Sequence, residues 1–339
     1  MTAQRGDDMW QLLGRLNRNL VLAIPVMMAA GFIFGLTADT GFLRGLITPF
    51  TFLMVFPMMV TLKLNKILEG GDGKAQFLAQ FINFAVVPFV ALWLGRIFFS
   101  DHPYKALGLL LAALVPTSGM TISWTGFARG NLEAAVKMTV VGLILGSIAT
   151  PFYVQFLMGA HVEMDLTGIM KQIGVIVFLP MAVGYGIQRH LTSKHGQKRF
   201  QQEWAPRFPP LSTLGVLGIV FIAIALKAPA IASHPHEMLS ILLPLVILYA
   251  VNYALATAVG RAFLPRGDAI ALVFGTVMRN LSIALAVAMN AFGRGGSDAA
   301  LVIALAYIIQ VQSAAWYVKF TSTLFREPLP PTAPLSERH

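Results

Sequence analysis

Long apolar runs recur along this chain with only short polar connections between them, and no other property limits its fold so tightly. Ten such runs fall at about 20–38, 46–62, 77–99, 104–128, 132–158, 166–187, 210–226, 238–260, 269–292 and 299–323 of the 339 residues. A helix crosses the hydrocarbon core of a bilayer with about 20 mainly apolar residues. The pattern therefore predicts an all-α, polytopic membrane protein of about ten transmembrane helices, with the lipid bilayer as its partner. The longest connection, 190–208, is too short for a further domain. Charged residues make up only 12% of the chain, against about 25% in soluble domains. A soluble enzyme and a nucleic-acid-binding protein are excluded on that ground. The chain has no cysteine, which excludes disulfides, thiolate metal sites and cysteine catalysis.

The net charge of +10 has a topological origin. With a cytoplasmic N-terminus, 16 of the 25 Lys and Arg residues fall in cytoplasmic segments and 5 on the opposite side. Lysine and arginine collect on the cytoplasmic side of membrane proteins, so both termini are expected there, in a bacterial inner membrane. Residues 1–19 form an expected cytoplasmic interfacial segment, and the proline-bearing 326–339 an expected disordered cytoplasmic tail. Lys137, Lys171, Arg279 and Lys319 lie within the runs. Lys171 and Lys319 are near run ends, where long side chains reach the interface. Lys137 is expected to pair with Glu133, one turn earlier.

Ile24-Pro25-Val26-Met27-Met28-Ala29-Ala30-Gly31 in the first run parallels Leu179-Pro180-Met181-Ala182-Val183-Gly184-Tyr185-Gly186 in the sixth, 155 residues on. Five runs fit in that interval, and an odd number inverts the second half relative to the first. The chain thus divides into two transmembrane repeats, 20–158 and 159–325, an arrangement common in secondary transporters. Two runs are interrupted by polar groups: Pro116-Thr117-Ser118-Gly119-Met120-Thr121 in the fourth, and Gly275-Thr276-Val277-Met278-Arg279-Asn280-Leu281-Ser282 in the ninth. The same offset relates Thr121 to Thr276. Unpaired backbone in hydrocarbon is costly unless it lines a cavity or is buried in protein. Matched interruptions therefore point to a transport site near the midplane, with two broken helices at its centre.

At these residues the chain resembles the bile acid:sodium symporter superfamily, which includes the arsenical-resistance permeases. The resemblance is carried by Phe56-Pro57-Met58-Met59-Val60-Thr61-Leu62-Lys63, by Asn83-Phe84-Ala85-Val86-Val87-Pro88, and by Met120-Thr121-Ile122-Ser123-Trp124 followed by Ala128-Arg129-Gly130-Asn131. It continues through Met278-Arg279-Asn280, Ala284-Leu285-Ala286-Val287-Ala288 and Phe292-Gly293, while Leu226-Lys227 and Pro244 look more like the arsenical branch. It implies a panel domain and a core domain, two broken helices crossing in the core, and substrate bound beside the crossing with alternating access.

The resemblance also implies departures. The symporters' acidic residue of the ninth span corresponds to Gly275, a sodium-ligating Gln to Arg279, and an Asn of the fourth-span break to Ile122. Asn83, Thr121 and Thr139, with Gly275 and Arg279, make up the remnant of an ion site. A fixed arginine charge opposes sodium there: two like charges at 4 Å cost about 4 kcal/mol at an effective dielectric of 20. The guanidinium is expected to stand in for the cation and donate to freed carbonyls. Sodium coupling and proton coupling both stay open, and no cofactor is implied. The arsenical branch's Cys corresponds to Thr117, and its Glu residues to Ser282 and Gln310.

The expected activity is secondary transport of a small organic or inorganic anion by alternating access. Its expected contacts are Thr117, Ser118, Thr121, Arg279, Asn280 and Ser282. Arsenite efflux and sodium-coupled organic anion symport are the alternatives. His234 and His236 make no metal site, no side chain is proposed as catalytic, and oligomeric state is not read from the sequence.

Overall fold

The computed structural model describes residues 19–63, 72–159, 165–233, 236–293 and 295–325. The expected interfacial segment before Asn19, the tail after Phe325 and His234 lie outside them. All regular structure among the described residues is helical, with no strand. In chain order the helices are α1 (Leu20–Thr37), α2 (Leu43–Val60), α3 (Gly73–Phe98), α4 (Pro103–Leu114), α5 (Gly119–Phe127) and α6 (Leu132–Met158). There follow α7 (Leu166–His195), α8 (Phe208–Ser233), α9 (His236–Phe263), α10 (Arg266–Val277), α11 (Leu281–Ala291) and α12 (Gly296–Leu324).

Among the described residues, eight helices are long and apolar enough to cross a membrane, or nine when the bent pair α4–α5 counts as one span. In that count α10 and α11 form a single 26-residue segment, Arg266–Ala291. The first run is the difference from the ten expected. Its apolar helix runs over Leu22–Thr37, about 24 Å at 1.5 Å per residue, short of a hydrocarbon core about 30 Å thick. The expected loop at 190–208 is a second difference. Helix α7 continues to His195, and Gln197–Arg199, Phe200–Trp204 and Ala205–Arg207 are further helical turns.

Two groups of helices emerge from the packing. Helix α8 lies against α1 and α2, and α7 lies against α2. Small residues permit the close approach. Gly31 and Gly35, spaced four apart, face the α8 backbone, and a Cβ on Gly31 would stand 2.6 Å from the Phe221 carbonyl oxygen. Close contact through such a pair is a recurrent means of joining helices in lipid, where burial supplies little drive. In the second group α3 packs on α4, α4 on α12, α12 on α11, α9 on α10, and α5 on α6. The Arg266–Ala291 segment is its centre and is almost wholly buried.

One charged contact corrects the sequence reading. The Lys137 ammonium lies 3.7 Å from Asp72 Oδ2, not against Glu133. Asp72 stands at the start of α3, and its Oδ1 also accepts from Asn131 Nδ2 at 3.2 Å. The same Asn131 amide donates to Asp268 Oδ1 at 2.7 Å. The starts of α3, α6 and α10 are thereby tied together at one end of the second group.

Candidate functional site

Both polar interruptions are true breaks in helical structure. Between α4 and α5 the chain turns by 60°. Proline at 116 supplies no N–H, and Thr117 adopts a positive φ of 60°, a conformation that non-glycine residues seldom take. The Thr117 hydroxyl donates to the Thr139 carbonyl of α6 at 3.1 Å. Ser118 is the N-cap of α5: its Oγ accepts from Met120 N, while its own N–H donates to Thr121 Oγ1, each at 3.3 Å. This is a capping box with threonine in the returning position.

Between α10 and α11, residues 278–280 leave the helix. Asn280 is the N-cap of α11, its Oδ1 accepting from Ile283 N at 3.2 Å. The two breaks touch. Asn280 N donates to the Val115 carbonyl at 2.8 Å, and Thr121 Oγ1 donates to the Met278 carbonyl at 3.5 Å.

The end of a helix leaves carbonyls without intrahelical partners, and here each one is accounted for. Asn83 Nδ2 donates to Gly275 O at 3.0 Å and Asn252 Nδ2 to Thr276 O at 2.8 Å. Arg279 N donates to Val277 O at 2.9 Å. Thr121 serves Met278 O, and Gln310 Nε2 donates to Arg279 O at 3.2 Å. Gln310 Oε1 accepts from Arg279 N at 2.8 Å and from the Tyr249 hydroxyl at 2.9 Å. Helices α3, α5, α9 and α12 thus hold the second break with side-chain donors.

That account corrects the role expected of the Arg279 guanidinium. Its Nη1 and Nη2 donate to none of the freed carbonyls, which amides, a hydroxyl and a backbone N–H serve instead. Arg279 is 2% exposed, and its Nη1 and Nη2 have no hydrogen-bond partner among the described residues.

Beside the breaks lies a cavity of about 80 Å³. Its polar wall is Ser118, Gly119, Thr139 and Asn280. Met58, Ile122, Val140 and Leu143 supply apolar wall, and Thr61, Leu62 and Lys63 line it at the end of α2. Both N-cap residues are on this wall, so the N-terminal ends of α5 and α11 meet at the cavity. The positive end of a helix dipole favours an anion.

Of the six expected substrate contacts, Ser118 and Asn280 line the cavity. Thr117 and Thr121 are buried in the bonds of the breaks. Ser282 Oγ lies 2.6 Å from the Tyr307 hydroxyl. Arg279 is adjacent in the chain but not on the wall. The residues of the expected ion-site remnant are also bonded within the protein. Asn83 and Thr121 hold the second break, and the Thr139 hydroxyl donates to Ala135 O of its own helix at 2.8 Å. Gly275 faces Met138, whose Sδ would lie 2.5 Å from an added Cβ, so an acidic side chain there would require Met138 to move.

Gln310, named from the sequence only as the counterpart of a glutamate in the arsenical branch, and Asn252, not singled out there at all, are central to the second break. Each is an amide within a long membrane helix, with Gln312 a second amide beside Gln310, a pattern that carries a faint polar signal and no indication of its partner.

Residues 48–234, more than half of the chain, match the family described as the Sodium Bile acid symporter family. The chain belongs to that family. Its members are transporters, not enzymes, so this is a membrane-spanning secondary transporter. Among curated relatives, "Uncharacterized protein YbaS" of Bacillus subtilis (strain 168) is 25% identical over 71% of this chain and 76% of its own length. "Arsenical-resistance protein Acr3" of Alkaliphilus metalliredigens (strain QYMF) is 23% identical over 80% of this chain and 79% of its own. "Probable sodium/metabolite cotransporter BASS1, chloroplastic" of Arabidopsis thaliana is 25% identical over 58% of this chain and 51% of its own.

Proposed function

We propose that this Sodium Bile acid symporter family member moves a small anion across a bacterial inner membrane by alternating access, with both termini cytoplasmic. The observation that carries the reading is the meeting of the two N-caps, Ser118 and Asn280, on one cavity wall. Two half-helices then offer positive N-terminal ends to one solute, with the fixed charge of Arg279 next to Asn280 in the chain. Both features favour negative charge.

In this reading Ser118, Asn280 and Thr139 line the solute's place, while Thr117, Thr121 and Ser282 keep the breaks in shape. Residues 20–158 and 159–325 are two inverted repeats of five spans, α4–α5 and α10–α11 being the corresponding broken spans that cross. Helices α1, α2, α7 and α8 form the panel against which the remaining helices rock. The sodium site is degenerate: Arg279 and Gly275 stand where a carboxamide and a carboxylate would serve a cation, which leaves protons or a countermoving anion as the driving ion.

The test is transport by the purified protein in proteoliposomes, preceded by a thermal-shift screen of small anions with and without sodium. An anion that raises the melting temperature equally in both conditions, and that enters the vesicles, is the expected result. Ser118→Ala and Asn280→Ala should each lower uptake at least tenfold at subsaturating solute. Uptake unchanged in both variants would defeat the reading.

Similarity to Acr3 over most of both chains favours a second reading, efflux of arsenite through hydroxyls in place of a cysteine. Protection of an arsenite-sensitive strain would support it. An unaltered sensitivity would leave the small-anion reading alone.

A further inference from the structure

Helices α5, α9 and α12 finish around two adjoining hollows. One, of about 380 Å³, is walled by Phe127 and Arg129 at the end of α5 and by Thr321 and Ser322 of α12. The other, of about 620 Å³, lies between Arg261 and Leu264 at the end of α9 and Thr323 and Leu324 of α12. Arg266, the first residue of α10, and Phe325 belong to both. Neither hollow shares a residue with the solute cavity.

Three arginines and no acid line this space. The C-terminus of a helix carries about half a negative charge, and Arg266 answers two of the three. Its Nε donates to the Phe325 carbonyl at 3.1 Å and its Nη1 to the Arg129 carbonyl at 3.2 Å. The side chains of Arg129 and Arg261 are exposed, and neither has an ion pair or a hydrogen bond among the described residues. Asp268, two residues past Arg266, accepts from Asn131 Nδ2 instead. Arg129 also sits where glycine is the usual choice. It closes α5 with a positive φ of 55°, and Gly130 N donates back to the Thr125 carbonyl at 2.8 Å, a Schellman closure that ordinarily carries glycine at the left-handed position. An exposed guanidinium is thus held on backbone that disfavours it, with open space beside it.

We infer that the two hollows seat the phosphate headgroup of an anionic phospholipid from the leaflet at which α5, α9 and α12 end. In the orientation proposed above, that is the cytoplasmic leaflet. A guanidinium offers paired N–H donors that match phosphate oxygens, and basic pockets between membrane helices hold lipid headgroups. Exposed aromatic residues flank the arginines and supply a surface for acyl chains: Phe127 two residues before Arg129, Phe263 two after Arg261, and Phe320 on α12. The chain beyond Phe325 does not complement the charge, since residues 326–339 set Glu327 and Glu337 against Arg326 and Arg338.

The experiment uses the full chain in a neutral detergent, with phosphatidylglycerol or phosphatidylcholine added at the same mole ratio while thermal unfolding is followed. Detergent has no sidedness, so the outcome is independent of orientation and of transport. Phosphatidylglycerol should raise the melting temperature by roughly 3–5 °C above phosphatidylcholine. Arg129→Gly suits the backbone and should melt no lower than the wild type without lipid, yet lose at least half of that gain. Arg261→Gln should lose part of it, and the two together nearly all. Arg189→Gln combined with Lys194→Gln removes two exposed charges of α7, outside the hollows, and should keep it. Equal melting in the two lipids overturns the inference, as does a full gain in the combined Arg129→Gly, Arg261→Gln protein. An equal loss in the α7 pair overturns it by making the effect one of diffuse surface charge. Inorganic phosphate that matches the phosphatidylglycerol gain overturns the lipid as the source. A gain that appears only once residues 326–339 are removed overturns it by making that tail the occupant.

Discussion

Gln310 shows how much a single side chain can carry. Its amide closes a reciprocal pair with the backbone of Arg279 and takes the Tyr249 hydroxyl as well. Gln310→Leu leaves the Arg279 carbonyl and the Tyr249 hydroxyl without partners in the interior, each worth roughly 1–3 kcal/mol. The variant should melt several degrees lower in detergent, read by tryptophan fluorescence. Gln310→Glu is the informative contrast. It keeps the acceptor for Arg279 N and the Tyr249 hydroxyl and loses the donor to the Arg279 carbonyl, so its melting temperature should fall between those of the wild type and Gln310→Leu. Neither role was legible in the sequence, because an amide in a membrane helix has no spacing that names its partner, and Gln312 two residues on offers the same chemistry. Lys137 illustrates the same limit: Glu133 was the nearest acid along the helix, yet Asp72, far off in the chain, is the one in contact. Ser118 and Asn280 were legible, since each precedes a helix restart in a stretch that combines glycine or proline with hydroxyls or amides.

Among the elements, both interruptions were readable from composition, for polar groups within apolar runs need a structural reason. What the sequence did not reveal is how the breaks are supported. Helix α6 supplies a glycine surface for the first: a Cβ on Gly142 would stand 2.7 Å from Thr117 Oγ1, and one on Gly146 would stand 2.5 Å from Pro116 Cδ. Overpacking of this kind costs about 1–3 kcal/mol. Gly146→Leu should therefore lower both the yield of monodisperse protein and its melting temperature. Gly186→Ala is the control, since nothing lies within 4 Å of an added Cβ there. Replacing a helical glycine in open space should leave stability unchanged or raise it by about 0.5–1 kcal/mol, measured in the same melts. The first run also shows why span counts from apolar runs need length as well as hydropathy, since its apolar helix covers only Leu22–Thr37.

At the scale of the molecule, the polar contacts between the two helix groups are gathered on the side away from the cavity. Asn290 at the end of α11 is the hub. Its Nδ2 donates to Thr51 Oγ1 at 3.0 Å, its Oδ1 accepts from Thr48 Oγ1 at 3.3 Å, and its carbonyl accepts from Gln172 Nε2 at 2.6 Å. Lys227 of α8 meets Asp298 of α12 at 2.7 Å. If the groups rock against one another, these bonds hold the opposite face shut while the cavity borders the end of α2 at Lys63. The absence of cysteine makes this directly measurable. In a Ser118→Cys background, Asn290→Ala should raise labelling by a membrane-impermeant thiol reagent added from outside by about threefold or more. Lys227→Gln should act in the same direction and more weakly, because partly exposed ion pairs contribute about 0–1 kcal/mol. Labelling from outside that is the same with and without Asn290 would argue that the contact is not a gate. The lacing of the breaks has a last consequence. Four bonds run from α3, α5, α9 and α12 to one short stretch of backbone, so the second fractured rod cannot straighten without tearing its neighbours loose. The centre is a laced block, and if the two groups rock, the movement comes from the seam around it. A compound or antibody fragment that glued that seam would arrest the cycle without ever entering the pocket.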